Sequence, residues 1–428
     1  MKRSEKGQNA SPLLRNRDFL HLWGAETVSQ LGSQISLIAF PLIAITLLDA
    51  TTLQVGLLTA IEFSPFVLIG LPAGALVDRL PRRPVLMWCD IGRALALLTI
   101  PIAYWLDVLS YGQLCVVVFL TGSMTVFFDV AYQSYLPALV ARDQLADGNS
   151  KLEVSRSAAA IAGPGIGGLL IQWIGAAAAT FADAVSFLAS ALFLRRIKTV
   201  EDPPVVEKTD DHPLRVLGRE IGQGLRYVLG HRVLRLIAGC TATSNFFTNI
   251  LMAVFLLYAV RELDYSAGAV GLIYTVGNIG TIGAALIASR ITRRILLGPA
   301  LILGIAVAAV PMLLIPLAPA EHALPLFAAA WVGFGFGGTL YNIDQVSLRQ
   351  AITPHDLLGR MNASMRFMVW GTMPFGSLAG GVLGTVVGLE TTLWIGAIGG
   401  LFALPWVLAK PVRELRTIPS DVSDAAIG

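Results

Sequence analysis

The chain has 428 residues, of which 55% are hydrophobic and only 14% are charged. Soluble globular proteins carry roughly 25% charged residues, so this composition excludes an ordinary water-soluble domain and indicates a lipid environment. The small net charge of +3 gives no reason to expect a nucleic-acid partner.

Long, continuously apolar stretches recur along nearly the whole chain. A stretch of roughly 18 residues is enough to cross the hydrocarbon core as a helix. The stretches do not alternate between polar and apolar residues, which favours helices over barrel strands. We therefore predict an all-α membrane protein with twelve transmembrane helices, at 20–48, 54–77, 84–106, 112–138, 154–174, 176–194, 234–260, 267–289, 295–317, 323–346, 364–388 and 391–409.

Lys and Arg residues are concentrated in every second connection between these spans. They occupy the N-terminal segment, the loop around 79–83, the segment from 195 to 235, the loop at 290–294 and the C-terminal tail. In the intervening connections only Arg261 breaks the alternation. By the positive-inside rule, both termini are expected in the cytoplasm and the number of spans is even. The basic residues thus mark topology.

The longest polar stretch divides the spans six and six. It begins as a linker rich in proline and acidic residues and continues as an amphipathic segment, 214–229, which is expected to lie along the membrane face. The predicted organisation is a cytoplasmic N-terminus (1–19), an N-terminal six-helix bundle (20–194), a cytoplasmic linker with an amphipathic helix (195–233), a C-terminal six-helix bundle (234–409) and a cytoplasmic tail (410–428).

An internal repeat supports this division. When the first half is shifted by 213 residues, an ordered series of residues falls on identical ones in the second half. Two parallel six-helix repeats with a binding site between them is a known plan of membrane transporters. The matched pairs include Gly122 with Gly335, Asn149 with Asn362, Gly163 with Gly376, Gly167 with Gly380, Gly168 with Gly381 and Gly175 with Gly388.

The loop after the second predicted span reads Gly74-Ala-Leu-Val-Asp78-Arg79-Leu-Pro-Arg82-Arg83. An acid beside a basic cluster can hold a short loop against a helix end. The arginines alone are equally consistent with an ordinary positive-inside loop. The whole spacing, however, resembles the loop signature of the major facilitator superfamily, with Pro81 where glycine is usual. The resemblance implies a gating role for this loop.

The fifth predicted span contains Gly163-Pro164-Gly165-Ile166-Gly167-Gly168. Pro164 removes a backbone hydrogen bond and bends the helix, and the glycines permit close helix packing. Besides a kinked, closely packed helix, the pattern resembles the fifth-span motif of facilitator-superfamily antiporters. Its upstream glycines are replaced here by Ser150 and Ala159, so the match is partial. The motif favours export over import.

A narrower resemblance covers most of the chain. It rests on 15–19, Phe128-Asp129, 183–187, 224–227 and above all the run 341–366, and it is similar to the branch that includes the enterobactin exporter and macrolide efflux proteins. That branch implies a secondary active transporter that exports a drug, macrolide or siderophore-like product by proton antiport with alternating access.

The chain has no Gly-Lys dipeptide and hence no P-loop of the usual form for ATP, so ion-driven transport is expected. The alternatives are an importer on the same fold and, less favoured, a polytopic membrane enzyme or a non-transporting sensor. The five histidines are scattered over different connections, and the three cysteines lie inside predicted spans. We therefore expect no catalytic site, metal or cofactor. The expected partners are a small-molecule substrate, a proton and the lipid bilayer, with a monomer in a bacterial inner membrane.

Ionisable side chains within spans are costly and are therefore functional candidates. Asp90 with Arg93, and Glu153 with Arg156, are spaced to neutralise each other on one helix face. Asp183 is interpreted as structural. The remaining carboxylates are proton-coupling candidates, with Glu26 and Asp129 ahead of Glu62 and Asp344.

Polar and aromatic residues of the spans that the resemblance places around a cavity are candidates for substrate contact, although packing is the alternative for each. They are Gln30, Tyr132, Gln133, Asn245, Asn249, Tyr341 and Asn342.

Overall fold

A computed structural model describes residues 12–77, 79–141, 144–199, 201, 213–354 and 357–417. The described residues form helices and connections and include no β-strand. The first half comprises α1 (Arg17–Leu42, continued as a π-helix over Ile43–Leu47), α2 (Thr52–Leu68), α3 (Gly70–Val77), α4 (Arg82–Trp105), α5 (Tyr111–Leu139), α6 (Leu145–Ile174) and α7 (Ala176–Arg195).

The second half follows an amphipathic helix, α8 (Pro213–Gly230), which occupies the segment predicted to be amphipathic. It comprises α9 (Arg232–Arg261), α10 (Ala267–Ile295), α11 (Leu297–Ala309), α12 (Leu314–Leu317), α13 (Ala323–Ile352), α14 (Leu358–Trp370), α15 (Thr372–Val386), α16 (Leu389–Gly400), α17 (Leu404–Leu408) and α18 (Lys410–Arg413).

Ten helical segments in the described ranges are long and apolar enough to cross a membrane, which confirms the all-α membrane class. The count of twelve stays a prediction, because two of the predicted spans are interrupted. Span 54–77 is divided between α2 and α3, and span 364–388 lies across α14 and α15. Each break lies just before a proline, Pro72 or Pro374, whose missing N–H leaves the carbonyl four residues earlier unbonded.

The two halves meet along two helix pairs, α2 with α15 and α6 with α10. Both contacts depend on glycine. A Cβ atom on Gly168 of α6 would lie 3.0 Å from the Cα of Gly271, and one on Gly381 of α15 would lie 3.1 Å from the Cα of Gly56. Because Gly168 and Gly381 are matched by the 213-residue repeat, the two contacts are pseudo-symmetric equivalents.

The repeat extends to the packing within each half. Gly167 brings α6 against the Cα of Ile35 in α1, where an added Cβ would be 3.2 Å away. Gly380 brings α15 against α9 in the same way, and a Cβ atom added to it would lie 3.0 Å from the Cα of Ile250. The kink-motif glycines are therefore close-packing positions, and their counterparts in the second half have the same function.

Candidate functional site

A cavity of about 410 Å³ lies between the two halves. The first half contributes residues of α1, α2 and α6, and the second half contributes residues of α9, α10 and α13. Most of its lining is apolar or aromatic, with amide and hydroxyl side chains interspersed. The polar residues that line it are Gln34, Thr59, Glu62, Asn249, Asn278 and Thr281.

Glu62 is the one charged residue among those that line this central cavity. Its side chain is partly buried, and within the described part of the chain its carboxylate has no hydrogen-bond or ion-pair partner. An ionised carboxylate without a partner is costly inside a membrane protein. An ionised Glu62 would therefore be stabilised by a proton or a cation taken from the cavity.

A second cavity of about 390 Å³ adjoins the central one; the first half forms its wall except for Trp370 of the second half. The two share Glu62 and Gln34 in their walls. The second cavity is more polar than the central one, and its wall contains side chains of both charges. Its charged lining residues besides Glu62 are Arg93, Asp129, Arg156 and Asp183.

Arg93 is held rigidly at the wall of this polar cavity. Its guanidinium donates to Asp90 at 2.5 Å and lies over the rings of Phe128 and Phe187, at 4.5 and 4.0 Å from their centroids. Only 4% of the Arg93 surface is exposed. The predicted Asp90–Arg93 pair is thus confirmed. The second predicted pair is wrong, because none of the ion pairs among the described residues joins Glu153 to Arg156, and Arg156 faces the polar cavity instead.

The two leading proton-coupling candidates differ in their surroundings. Glu26 is buried behind Gln30, whose Nε2 donates to its Oε1 at 2.8 Å, while its Oε2 has no partner in the described structure. Asp129 lines the polar cavity together with Arg93 and Arg156. It also lines a groove toward the second half with Arg366, which lies 4.7 Å above the ring of Trp370.

Asp344 does not line either cavity, contrary to the expectation for its span. Both of its carboxylate oxygens accept from Thr292 Oγ1 at 2.9 Å, and the residue is 4% exposed. It connects α13 to α10 near the ends of both helices. Asp183 accepts hydrogen bonds from Ser36 and Ser186, in agreement with a structural interpretation, although it also reaches the wall of the polar cavity.

The substrate-contact candidates are divided between cavity walls and packing. Asn249 lines the central cavity, Gln30 the polar cavity and Gln133 the groove next to Asp129. The others are engaged within the protein: Tyr132 stacks on Phe128, Asn245 donates to Val369 O at 3.2 Å, Tyr341 shares a hydrogen bond of 2.7 Å with Thr241, and Asn342 accepts from Gln345 at 2.9 Å.

The sequence interpretation missed the aromatic wall of the central cavity. Tyr274 of α10 and Trp331 and Phe334 of α13 line it from the second half, opposite Phe63 of α2. No sequence signal distinguished these residues from ordinary packing aromatics, because their proximity arises only when the two halves meet.

The central cavity is bounded toward the end remote from the termini by the glycine contacts described above. At the same end, Arg261 of the second half donates to Ala50 O at 3.0 Å and Ile45 O at 3.4 Å in the first half. Asp49 lies at 4.0 Å from the same guanidinium and is fully exposed. Arg261, the exception to the alternation of charge, thus forms hydrogen bonds between the two halves.

The basic end of the loop motif is bonded to Glu201, a residue outside the motif. Carboxylate oxygens of Glu201, in the linker, accept from the backbone N–H groups of Arg82 and Arg83, each at 2.7 Å. These are the first residues of α4, so Glu201 satisfies donors at a helix N-terminus. Asp78, the acid of the motif, lies outside the described residues; Gly74 lies within α3, and Arg79 lies on the connection from α3 to α4.

The sequence profile of the Major Facilitator Superfamily matches the chain over residues 22–370 and 237–424. The chain belongs to this superfamily. The multidrug efflux pump Tap of Mycobacterium tuberculosis (strain ATCC 25618 / H37Rv) is 27% identical over 440 aligned positions, which cover 97% of this chain and 98% of that protein. Tap of Mycolicibacterium fortuitum is also 27% identical, over 84% of this chain and 88% of that protein.

Solved structures of Major Facilitator Superfamily type share the fold at low identity. The nucleoside transporter NupG superimposes with a TM-score of 0.71 at 12% identity, over 92% of this chain and 98% of that one. A bacterial homologue of the iron transporter ferroportin, in its inward-facing state, gives 0.70 at 17%, over 93% and 99%. At these identities the comparison establishes the superfamily fold alone.

Proposed function

We propose that the protein is a secondary active transporter that exports small organic molecules by proton antiport. The observation that carries this proposal is the central cavity between the two halves, with Glu62 unpartnered in its wall. The exported class is a drug, macrolide or siderophore-like natural product. In this proposal the protein works as a monomer in the bacterial inner membrane, with both termini in the cytoplasm.

Alternating access follows from the arrangement of the two halves. Glycine contacts between α2 and α15 and between α6 and α10 close one end, while the cavity lies between these helices. Rocking of the segments 20–194 and 234–409 would separate these contacts and expose the cavity to either side in turn. The segments 1–19, 195–233 and 410–428 then lie on the cytoplasmic face.

Two observations favour export over import. Relatives that align with nearly the whole chain are named multidrug efflux pumps. The kink motif of α6 resembles that of antiporters and places Gly168 at the contact between the halves.

The energy of one proton is sufficient for export. Entry of one charge down a potential of about 100 mV supplies about 2.3 kcal/mol. Each tenfold concentration step of a neutral substrate costs about 1.4 kcal/mol, so one proton sustains a gradient of roughly fifty-fold.

Among the candidates for the proton site, the geometry favours Glu62, with Asp129 and Glu26 next. Glu62 lines both cavities and has no partner in the described structure, whereas Glu26 is bonded by Gln30 and Asp129 faces arginines. Asp344 is not retained as a candidate, because it lines neither cavity and its two oxygens share the single hydroxyl hydrogen of Thr292.

The test uses everted membrane vesicles energised by respiration, in which an antiporter substrate collapses the pH gradient. Compounds identified from the sensitivity of a deletion strain would be added to vesicles containing Glu62→Gln, Asp129→Asn, Glu26→Gln or Asp344→Asn at equal membrane levels. We expect Glu62→Gln to abolish the substrate-dependent proton movement and Asp344→Asn to retain it. Unchanged proton movement in Glu62→Gln, Asp129→Asn and Glu26→Gln would refute proton antiport through these carboxylates. Accumulation of the compound in the opposite direction would support an importer.

A further inference from the structure

The aromatic wall of the central cavity is built as a connected cluster. The rings of Tyr274 and Trp331 meet edge to face at a centroid distance of 4.9 Å, and Trp331 meets Phe334 at 5.5 Å. Behind them Phe255, which is fully buried, supports Trp331 at 5.8 Å. Each ring is fixed by its neighbours, so the wall presents a preformed aromatic surface.

The charge on the opposite wall is unbalanced. Among the described residues that line the central cavity there is no arginine or lysine, and Glu62 is the one carboxylate. The arginines of the adjoining polar cavity are close to carboxylates other than Glu62. Arg93 is bonded to Asp90, and Arg156 lines a wall that also contains Asp129 and Asp183.

These features select for the charge of a ligand. A carboxylate in a site of low dielectric attracts a cation and repels an anion far more strongly than it would in water. Aromatic faces also attract cations, by about 0.5 to 2 kcal/mol at each favourable site. A volume of about 410 Å³ lies within the range of pockets for drug-sized ligands, roughly 300–1,000 Å³.

We propose that the central cavity is a binding site for amphipathic organic cations, with the positive centre beside Glu62 and the apolar body against the Tyr274–Trp331–Phe334 wall. This inference rests on the proposed function, since it names the substrate class of the same cavity. Within the broader group of drug-like molecules it favours cations over neutral and anionic compounds of equal size.

The experiment uses a pair of probes that differ in charge but hardly in shape, tetraphenylphosphonium and tetraphenylborate. Their equilibrium binding is measured on the full-length protein in nanodiscs, at alkaline pH, where carboxyl groups are ionised. Empty nanodiscs correct for partition into lipid. Each probe is compared between wild type and Glu62→Gln, so that any remaining difference in partition cancels.

We expect Glu62→Gln to weaken tetraphenylphosphonium binding by about tenfold or more, which corresponds to about 1.4 kcal/mol. Tetraphenylborate binding should not weaken. Glu62→Asp, which keeps the charge, should retain most of the cation affinity, and Asp344→Asn, a buried carboxylate outside both cavities, should equal wild type. Thermal unfolding of each variant checks that folding is intact.

The inference would be overturned if Glu62→Gln lost affinity for both probes equally, or if it bound the cation with wild-type affinity. It would also be overturned if Glu62→Asp failed to restore binding while remaining folded. Because equilibrium binding needs no proton gradient, these outcomes are separate from those of the vesicle assay. Cation binding that depends on Glu62 in a protein that does not export would count against the proposed function alone.

Discussion

Substitution of Gly56 by alanine tests whether the glycine contacts hold one end of the transporter closed. A Cβ atom at this position would lie 2.6 Å from Gly381 Cα, 2.7 Å from Ser377 O and 2.8 Å from Gly381 N, whereas ordinary contact begins at 3.4 Å. All three neighbours are backbone atoms, which no side-chain rotation can move away. Helices α2 and α15 must therefore separate by about 0.6 to 0.8 Å, the difference between these distances.

The cost of this separation can be converted into a change in population. Overpacking of a close-packed contact costs about 1 to 3 kcal/mol. If the contact exists only in the described conformation, the whole cost falls on that conformation. A cost of about 2 kcal/mol changes the ratio of the two conformations by about thirty-fold. The change favours the conformation that is open at the end remote from the termini.

The measurement is the distance between spin labels at that end, one in each half. Val108, in the connection between α4 and α5, and Glu321, before α13, are both exposed and suit labelling in a variant without the three native cysteines. We expect Gly56→Ala to increase the population of longer distances. Gly338→Ala is the matched control, because an added Cβ there meets no atom within 4 Å. Identical distance distributions in Gly56→Ala and wild type would refute the reasoning.

Two further predictions concern stability, measured by thermal unfolding of the purified protein. Arg93→Gln leaves the buried Asp90 carboxylate without its cation and should destabilise the protein by about 3 to 5 kcal/mol; combining it with Asp90→Asn should recover part of this loss, and additive losses would contradict the pairing. Burial lowers the pKa of His231, which caps α9 by accepting the Leu234 N–H at Nδ1. The cap needs the neutral ring, so its stabilisation, about 0.5 kcal/mol, is present above the ordinary pKa of 6.5 and is lost as the pH falls through the lowered value. His231→Asn should remove this acid dependence, and an unchanged dependence would assign it to another group.

The helical class and the internal repeat were accessible from the sequence because each depends on local information. Continuous hydropathy identifies a helix wherever it packs, and matched glycines are visible in one dimension. The Asp90–Arg93 pair was also predictable, since its two members are three residues apart on one helix. The same spacing failed for Glu153 and Arg156, because Arg156 faces a cavity that other helices create.

The site was predictable only in part. Glu62 was recognised as an ionisable group within a span, but its importance depends on the absence of a partner, which only neighbouring helices determine. The expected place of Asp344 on the cavity wall was wrong, because its side chain contacts Thr292 of a neighbouring helix, 52 positions away along the chain. Likewise, Glu201 caps α4 from a distant linker, where the sequence offers one acid among several.

In the proposed topology, the bond from Arg261 to the backbone oxygens of Ala50 and Ile45 lies at the outer surface of the membrane and bears on how that surface responds to acid. An arginine keeps its charge at every physiological pH, and peptide carbonyls do not titrate. Acid on that side, which a proton-driven exporter would face continuously, therefore leaves these hydrogen bonds intact. The ion pair of the same guanidinium with the exposed Asp49, at 4.0 Å, would weaken on acidification, whereas its hydrogen bonds to the two carbonyls would not.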